Sequence, residues 1–296
     1  MDTRGRCLMG DLNRRMSEPA APGIAVAALA LLLPGLVLTG PAAATTWSPS
    51  VTAVYKLRMA GMELATFNFN SSVNGDNSYK LGGHGKLSWG FGLYTYTGNF
   101  SGTGTVAGEE IRPSSYVYDW KVNRKTGGVK LGFTRGAVQS VDIQPPHTPN
   151  PEAVPVKPEH LTGVFDPLTA LIVLSRQRAG DPCERKIALF EGKQRFDLVL
   201  ARKRDEKVVE TKPSGQPVQA HVCSVRYVPV AGHRPNRETN FAIKTEGIEV
   251  AFRPIPSANM LLPYRIIIPT PVGNAVLLAQ RVDITAPGNK QIALAH

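Results

Sequence analysis

"DPLTALIVLSRQRAGDPC", residues 166–183, is the stretch on which the fold turns. Asp166 is suited to cap a helix, because its carboxylate can accept from the orphan N–H groups of a first turn. Pro167 suits the first helical position, where its missing N–H costs nothing. Leu168, Leu171, Ile172 and Leu174 then recur at helical spacing, with Ala170 and Val173 beside them. A helix that is apolar on most of its circumference has to be buried. Arg176 and Arg178 fall in the expected last turn, where cations complement the helix dipole. Gly180 is the expected stop.

Around this segment the chain reads as strands. "ELATFNFNS" (63–71) sets Ala65, Phe67 and Phe69 on one face and Thr66, Asn68 and Asn70 on the other. That period of two marks a half-buried strand. "VTAVYKLRM" (51–59) alternates likewise, with Ala53, Tyr55, Leu57 and Met59 on one face. Further strands are expected near 78–89, 93–106, 114–123, 128–134 and 137–143. After the helix they resume as a hairpin over 186–203 that turns at Glu191, Gly192 and Lys193, then near 206–212, 218–228, 239–252, 261–268 and 275–284. "VNGDNSY" (73–79) is turn chemistry, since Asn, Gly and Asp tolerate positive φ. "GGHG" (82–85) and "SGTGTVAG" (101–108) separate or bend strands, because glycine inside a strand pattern marks a bulge or a curl.

The expected class is mainly β: one strongly curled antiparallel sheet, an open barrel or a β-spiral, with one apolar helix packed in its concave face. The helix is then a plug made by Leu168, Leu171, Ile172 and Leu174. A proline-rich crossover at 144–160, in which six of seventeen residues are proline, precedes it. It reads as a strap across one domain spanning 45–296, since composition does not change across it; a linker between two domains is the alternative.

The N-terminus has the order of a secretory signal. Arg4, Arg6, Arg14 and Arg15 come first, then an apolar run over 23–38, then Ala42, Ala43 and Ala44. The run is short for a membrane span and Pro34 interrupts it. Cleavage after Ala44 is expected, with a retained anchor as the alternative. The chain of 296 residues carries a formal charge of +11; the leader holds four basic and three acidic side chains, so export would leave +10. For an exported protein the fitting partners are an anionic envelope component, a lipid or another periplasmic protein. No nucleic-acid partner is expected, and membrane contact would be peripheral. Cys7 leaves with the signal. Cys183 and Cys223 remain, and two cysteines in an oxidising compartment pair. The alternative is a reactive thiol pair, but no lysine or helix N-terminus is obviously placed to lower either thiol pKa.

Chemistry is sparse. His84 sits between glycines, and His147 and His160 lie in the proline strap. His221 and Cys223 share a strand face with His233 ten residues on, which is one ligand short of a zinc site. No nucleophile–base motif, phosphate loop or metal motif is present, so no catalytic residue, metal site or cofactor is expected. Glu109 and Glu110 point to opposite faces of a strand and fit a solvated turn. Tyr94 and Tyr96 alternate on one strand, followed by Phe100, and Tyr116, Tyr118 and Trp120 alternate on another. They are either ordinary cross-strand pairs or a groove for acyl chains or glycan rings.

Four patterns in order carry a resemblance: "IRPSSY" (111–116), "GVFDPLTAL" (163–171), a cysteine shortly before "ALFEGKQRFDL" (188–198), and "CSVRYVPVAGH" (223–233). Together they resemble the bacterial periplasmic family known as domain of unknown function 3108, over residues 51–284. The resemblance implies export to the periplasm of a Gram-negative bacterium and a curled β fold. It implies no activity, since the family has none established. In architecture it is loosely similar to lipoprotein carriers, whose half-barrels hold helices and an acyl chain, and to periplasmic β-spiral proteins that support envelope integrity. The leading expectation is a non-enzymatic periplasmic protein that binds a partner or ligand and supports the cell envelope. The second is a carrier or sensor of an acyl lipid or lipoprotein held between sheet and helix. A hydrolase ranks last, for want of a nucleophile and base.

Overall fold

The structure, a computed structural model, describes residues 49–90, 92–148 and 150–296. The expected signal over 1–44 and Cys7 lie outside the described residues. Seven strands come first: β1 (Ser50–Met59), β2 (Met62–Val73), β3 (Ser78–Trp89), β4 (Tyr94–Ala107), β5 (Glu110–Val122), β6 (Lys125–Thr134) and β7 (Ala137–Gln144). Then follow α1 (Pro167–Ser175), β8 (Arg185–Phe190), β9 (Arg195–Lys207), β10 (Gln219–Ala231), α2 (Arg237–Lys244), β11 (Glu249–Ile255), β12 (Met260–Thr270), β13 (Gly273–Ala286) and β14 (Lys290–Ala295).

All strands join one antiparallel sheet. It runs from β7 back to β1, across to β13, and from β13 back to β8, with β14 also on β13. The long-range seam is β1 on β13, where Val51 faces Ile284 and Met59 faces Ala275. Edge strands β7 and β8 do not pair, so the sheet stays open. The chain leading into α1 fills part of that gap. Gly163 N–H donates to Gly136 O (2.8 Å) beside β7, and Phe165 N–H donates to Ala188 O (2.9 Å) on β8. Val154 pins the proline strap, exchanging hydrogen bonds with Gly232 and His233 just past β10.

The glycines of β3 make room for rings. A Cβ on Gly85 would lie 2.4 Å from the Phe67 ring, and one on Gly83 would lie 2.1 Å from the Phe100 ring. Side chains there would drive both aromatics off the sheet. The turn at 74–77 closes with Asn77 at φ +63° and Asp76 Oδ1 accepting from Ser78 N (2.9 Å).

Two apolar cores form. One gathers α1 with the inner faces of β3–β8 and includes Val250 and Phe252; the other lies on the opposite face of β11, around Ala251, Ile255, Val282 and Ile284.

Several expectations need correction. The helix ends at Ser175 rather than at Gly180. Arg176 is already extended, and its backbone bridges to Met260. The strand expected at 206–212 is the tail of β9 followed by a loop. The strand expected at 239–252 is α2 followed by β11; Asn236 starts α2 by accepting from Thr239 N (2.8 Å). β14 was not anticipated. Its pairing is with β13, next to it in sequence, but its short "QIALA" pattern carries little periodicity.

Candidate functional site

Between α1 and the sheet lies an apolar cavity of about 180 Å³. Tyr55 on β1 and Phe67 on β2 are direct cross-strand partners and form one wall. Phe69 and Phe100 continue it. Leu168, Leu171 and Ile172 of α1 form the roof, and Met260, Leu262, Ile266 and Leu277 of β12 and β13 close the far side. The side-chain hydroxyls here are those of Ser71, Ser175 and Tyr55; the last donates to Pro263 O (3.0 Å), which satisfies it without pointing a polar group at a ligand. Burial pushes that phenol far above its ordinary pKa, so it stays neutral.

The roof is fixed at both ends. Asp166 is fully buried, and its Oδ1 accepts from Leu168 N (3.0 Å) and Thr169 N (2.9 Å). Its Oδ2 accepts from Thr169 Oγ1 (2.5 Å), which leaves the threonine oxygen to accept from Tyr79 Oη (2.7 Å). Burial raises the Asp166 pKa, while these hydrogen bonds oppose the rise. At the other end Arg185 of β8 donates to Val173 O (3.0 Å), Leu174 O (3.2 Å) and Arg176 O (3.1 Å). These are the carbonyls a helix leaves orphaned. The two arginines expected in that role reach elsewhere: Arg176 donates to Gly108 O and Arg178 to Glu109 O.

The Cys183–Cys223 disulfide joins the helix exit to β10, with Cα atoms 5.2 Å apart and both residues fully buried. This takes Cys223 out of any ligand set, and its neighbour His221 pairs with Asp205 Oδ1 (2.9 Å). Among the described residues no cluster of three or more His, Cys, Asp or Glu side chains is placed to hold a metal ion. No described helix is long and apolar enough to cross a membrane.

Of the expected plug residues, Leu168, Ile172 and Leu174 are buried, and Leu171 is half-buried and lines the cavity. Of the aromatics singled out in the sequence, Phe100 lines the cavity, and Tyr94, Tyr96, Tyr116, Tyr118 and Trp120 do not. Tyr116 is buried in the helix-side core. Tyr118 Oη bonds Tyr96 Oη (2.7 Å), Trp120 lies across Gly127, and Tyr94 sits exposed at a hairpin tip. Beside Phe100 the wall uses Tyr55, Phe67 and Phe69. Their alternation was visible, but which strand face turned toward the helix was not.

A second charged feature lies across β9, β11 and β12. Glu249 is held by Arg204 (2.8 Å) and Lys203 (2.8 Å), and its pKa is pushed down to about 2, first by the Arg204 hydrogen bond. It is an ion-pair network that joins neighbouring strands of the sheet.

A family model described as "Protein of unknown function (DUF3108)" matches residues 52–280. No curated protein matches. Among solved structures, the chain is similar to the crystal structure of a β-barrel-like protein of the domain of unknown function DUF1849 from Brucella abortus. The identity is 10%, the TM-score 0.46, and the match covers 79% of this chain and 97% of that one.

Proposed function

Because the chain belongs to the DUF3108 family, whose description assigns no activity, we propose a function from geometry: it holds an acyl chain in the cavity between α1 and the sheet. The carrying observation is the cavity, walled by aromatic and aliphatic side chains and roofed by a helix capped at both ends. An apolar cavity of about 150 Å³ stays dry and binds a benzene-sized molecule. The volume here therefore takes one end of an acyl chain, at about 0.8 kcal/mol for each methylene withdrawn from water. The remainder emerges past half-exposed Leu171, Ile266 and Leu277. This is the work of a carrier or sensor rather than of an enzyme. Its setting is the periplasm after cleavage at Ala44, a reading supported by the disulfide, which persists in oxidising compartments.

Titration with cis-parinaric acid, a fluorescent fatty acid, tests the reading. The parent protein should bind saturably. Leu171→Trp, which fills the mouth, should weaken binding about tenfold or more, equivalent to about 1.4 kcal/mol, with little change in melting temperature. Parent-like binding by that variant would place any ligand elsewhere. Organic extraction of the purified protein followed by mass spectrometry identifies the natural occupant.

A further inference from the structure

One end of the sheet carries the β1–β2, β3–β4, β5–β6 and β12–β13 turns together with α2. The register fixes this: Met59 pairs with both Met62 and Ala275, Trp89 with Tyr94, and Thr270 with Gly273. α2 immediately precedes β11, whose first residue, Glu249, faces Ile267 near the β12 terminus. In sheet order these connections are neighbours, so they form one arc.

The arc is apolar where a rim should be polar. Among the described residues, eight of the thirteen large exposed apolar side chains lie on it. The β3–β4 tip alone presents Trp89 (57% exposed), Leu93 (83%) and Tyr94. Val272 is 70% exposed on the next turn but one, and α2 adds Phe241 and Ile243. Single exposed apolar residues need no explanation, but a contiguous set marks an interaction surface.

Charge names the partner. Arg58, Arg124, Lys125 and Lys244 are exposed beside these side chains and enter no ion pair among the described residues. The β5–β6 turn that carries Arg124 and Lys125 is tied to the β3–β4 hairpin, since Asn123 N donates to Thr95 O (2.9 Å) and Asn123 Oδ1 accepts from Thr95 N (2.8 Å). Of the carboxylates beside these connections whose side chains are described, Glu63 pairs with Lys56 (2.8 Å) and exposed Glu246 is outnumbered by the cations. Aromatic and aliphatic tips interleaved with cations match the interface of a bilayer with anionic head groups, where rings sit at head-group depth and cations meet lipid phosphates.

We propose that this arc seats the protein on the surface of an anionic lipid bilayer. The proposal goes beyond acyl binding and does not rest on it. The test is co-sedimentation with vesicles of phosphatidylcholine plus phosphatidylglycerol, and with phosphatidylcholine alone. It uses Thr45–His296, a compact unit by itself, so that the apolar leader cannot contribute. The protein should sediment with the anionic vesicles, less so as salt is raised. A Trp89→Ser/Leu93→Ser variant with a parent-like melting temperature should partition at least about tenfold more weakly. Arg124→Glu/Lys125→Glu should erase the preference for anionic vesicles. The proposal is overturned if the parent ignores both vesicle types, binds both equally, or binds as well without Trp89 and Leu93. Cis-parinaric acid binding, measured without vesicles, stands or falls separately.

Discussion

The two cores on opposite faces of β11 bury charge by opposite means. On the helix side, fully buried Asp166 pairs with no cation among the described residues; it is held by two amides of the α1 N-terminus and one hydroxyl. On the other side, fully buried Arg253 of β11 pairs with Glu210 (2.7 Å). It also donates to Pro217 O (2.8 Å), Ser214 Oγ (3.0 Å) and His296 Nε2 (3.0 Å). That leaves His296 Nδ1 to donate to Ala279 O (3.0 Å), and burial lowers the imidazole pKa, consistent with a neutral ring. A carboxylate can be held by a helix start, whose amides and dipole point at it. A guanidinium presents five donors and needs acceptors from several segments. So Asp166 is satisfied by its own helix start, whereas Arg253 gathers a loop and His296 from distant parts of the chain.

The largest effect should come from the tether of the helix-side core. The disulfide closes a 40-residue separation, for which the chain-entropy model gives on the order of 4 kcal/mol. Cys183→Ser/Cys223→Ser should lose about that amount in guanidinium denaturation. Thiol labelling of Thr45–His296 under denaturing, non-reducing conditions should find no free thiol; two would refute the bond.

Next in size is Arg253→Met, which keeps the aliphatic stem and strips the guanidinium. Glu210, 8% exposed, is then a buried charge without its partner. The expected loss is about 3 kcal/mol. Arg253→Met/Glu210→Met should recover most of it, because replacing a whole buried pair by apolar groups is often neutral. A double variant as unstable as the single one would show that the loop and His296, rather than the charge pair, carry the stability.

The two sides differ as much in how legible they were. The helix side could be read in sequence because its signals are local: Asp166 next to Pro167, leucines at helical spacing, and two cysteines outside the expected signal. The curled sheet followed from strand alternation and glycine placement. The cavity wall was half legible, since the alternation gave Tyr55, Phe67 and Phe69 a common face but the pairing of β1 with β13 joins residues more than two hundred apart. Arg253 gave no sign, because "FRPIP" reads as an exposed arginine and its partners lie about forty residues away on either side. α2 was missed because eight residues are too few to show a helical period, and Phe241 and Ile243 alternate as a strand would.

The smallest effect is the most discriminating, because it rests on sign. Burial raises the Asp166 pKa above its unfolded value. Its contribution to stability is therefore fully present below that unfolded value and is lost as pH rises through the folded one. Glu249 runs the other way. It is held at about 2 against an ordinary 4.5, so its contribution is present above 4.5 and is lost as pH falls toward 2. Asp166→Asn keeps Oδ1 for the Leu168 and Thr169 amides, and asparagine caps about as well as aspartate. The new amide N–H can donate to Thr169 Oγ1, whose hydrogen then turns to Tyr79. At neutral pH the variant should differ from the parent by no more than about 1 kcal/mol. The difference should shift in the variant's favour as pH rises above the ordinary carboxylate value of about 4. The acid limb set by Glu249 should be common to both proteins. Urea midpoints across that range measure this directly. A difference that stays flat with pH would mean that Asp166 titrates as an ordinary carboxylate. A loss of several kcal/mol at neutral pH would mean that the carboxylate charge itself holds the helix start.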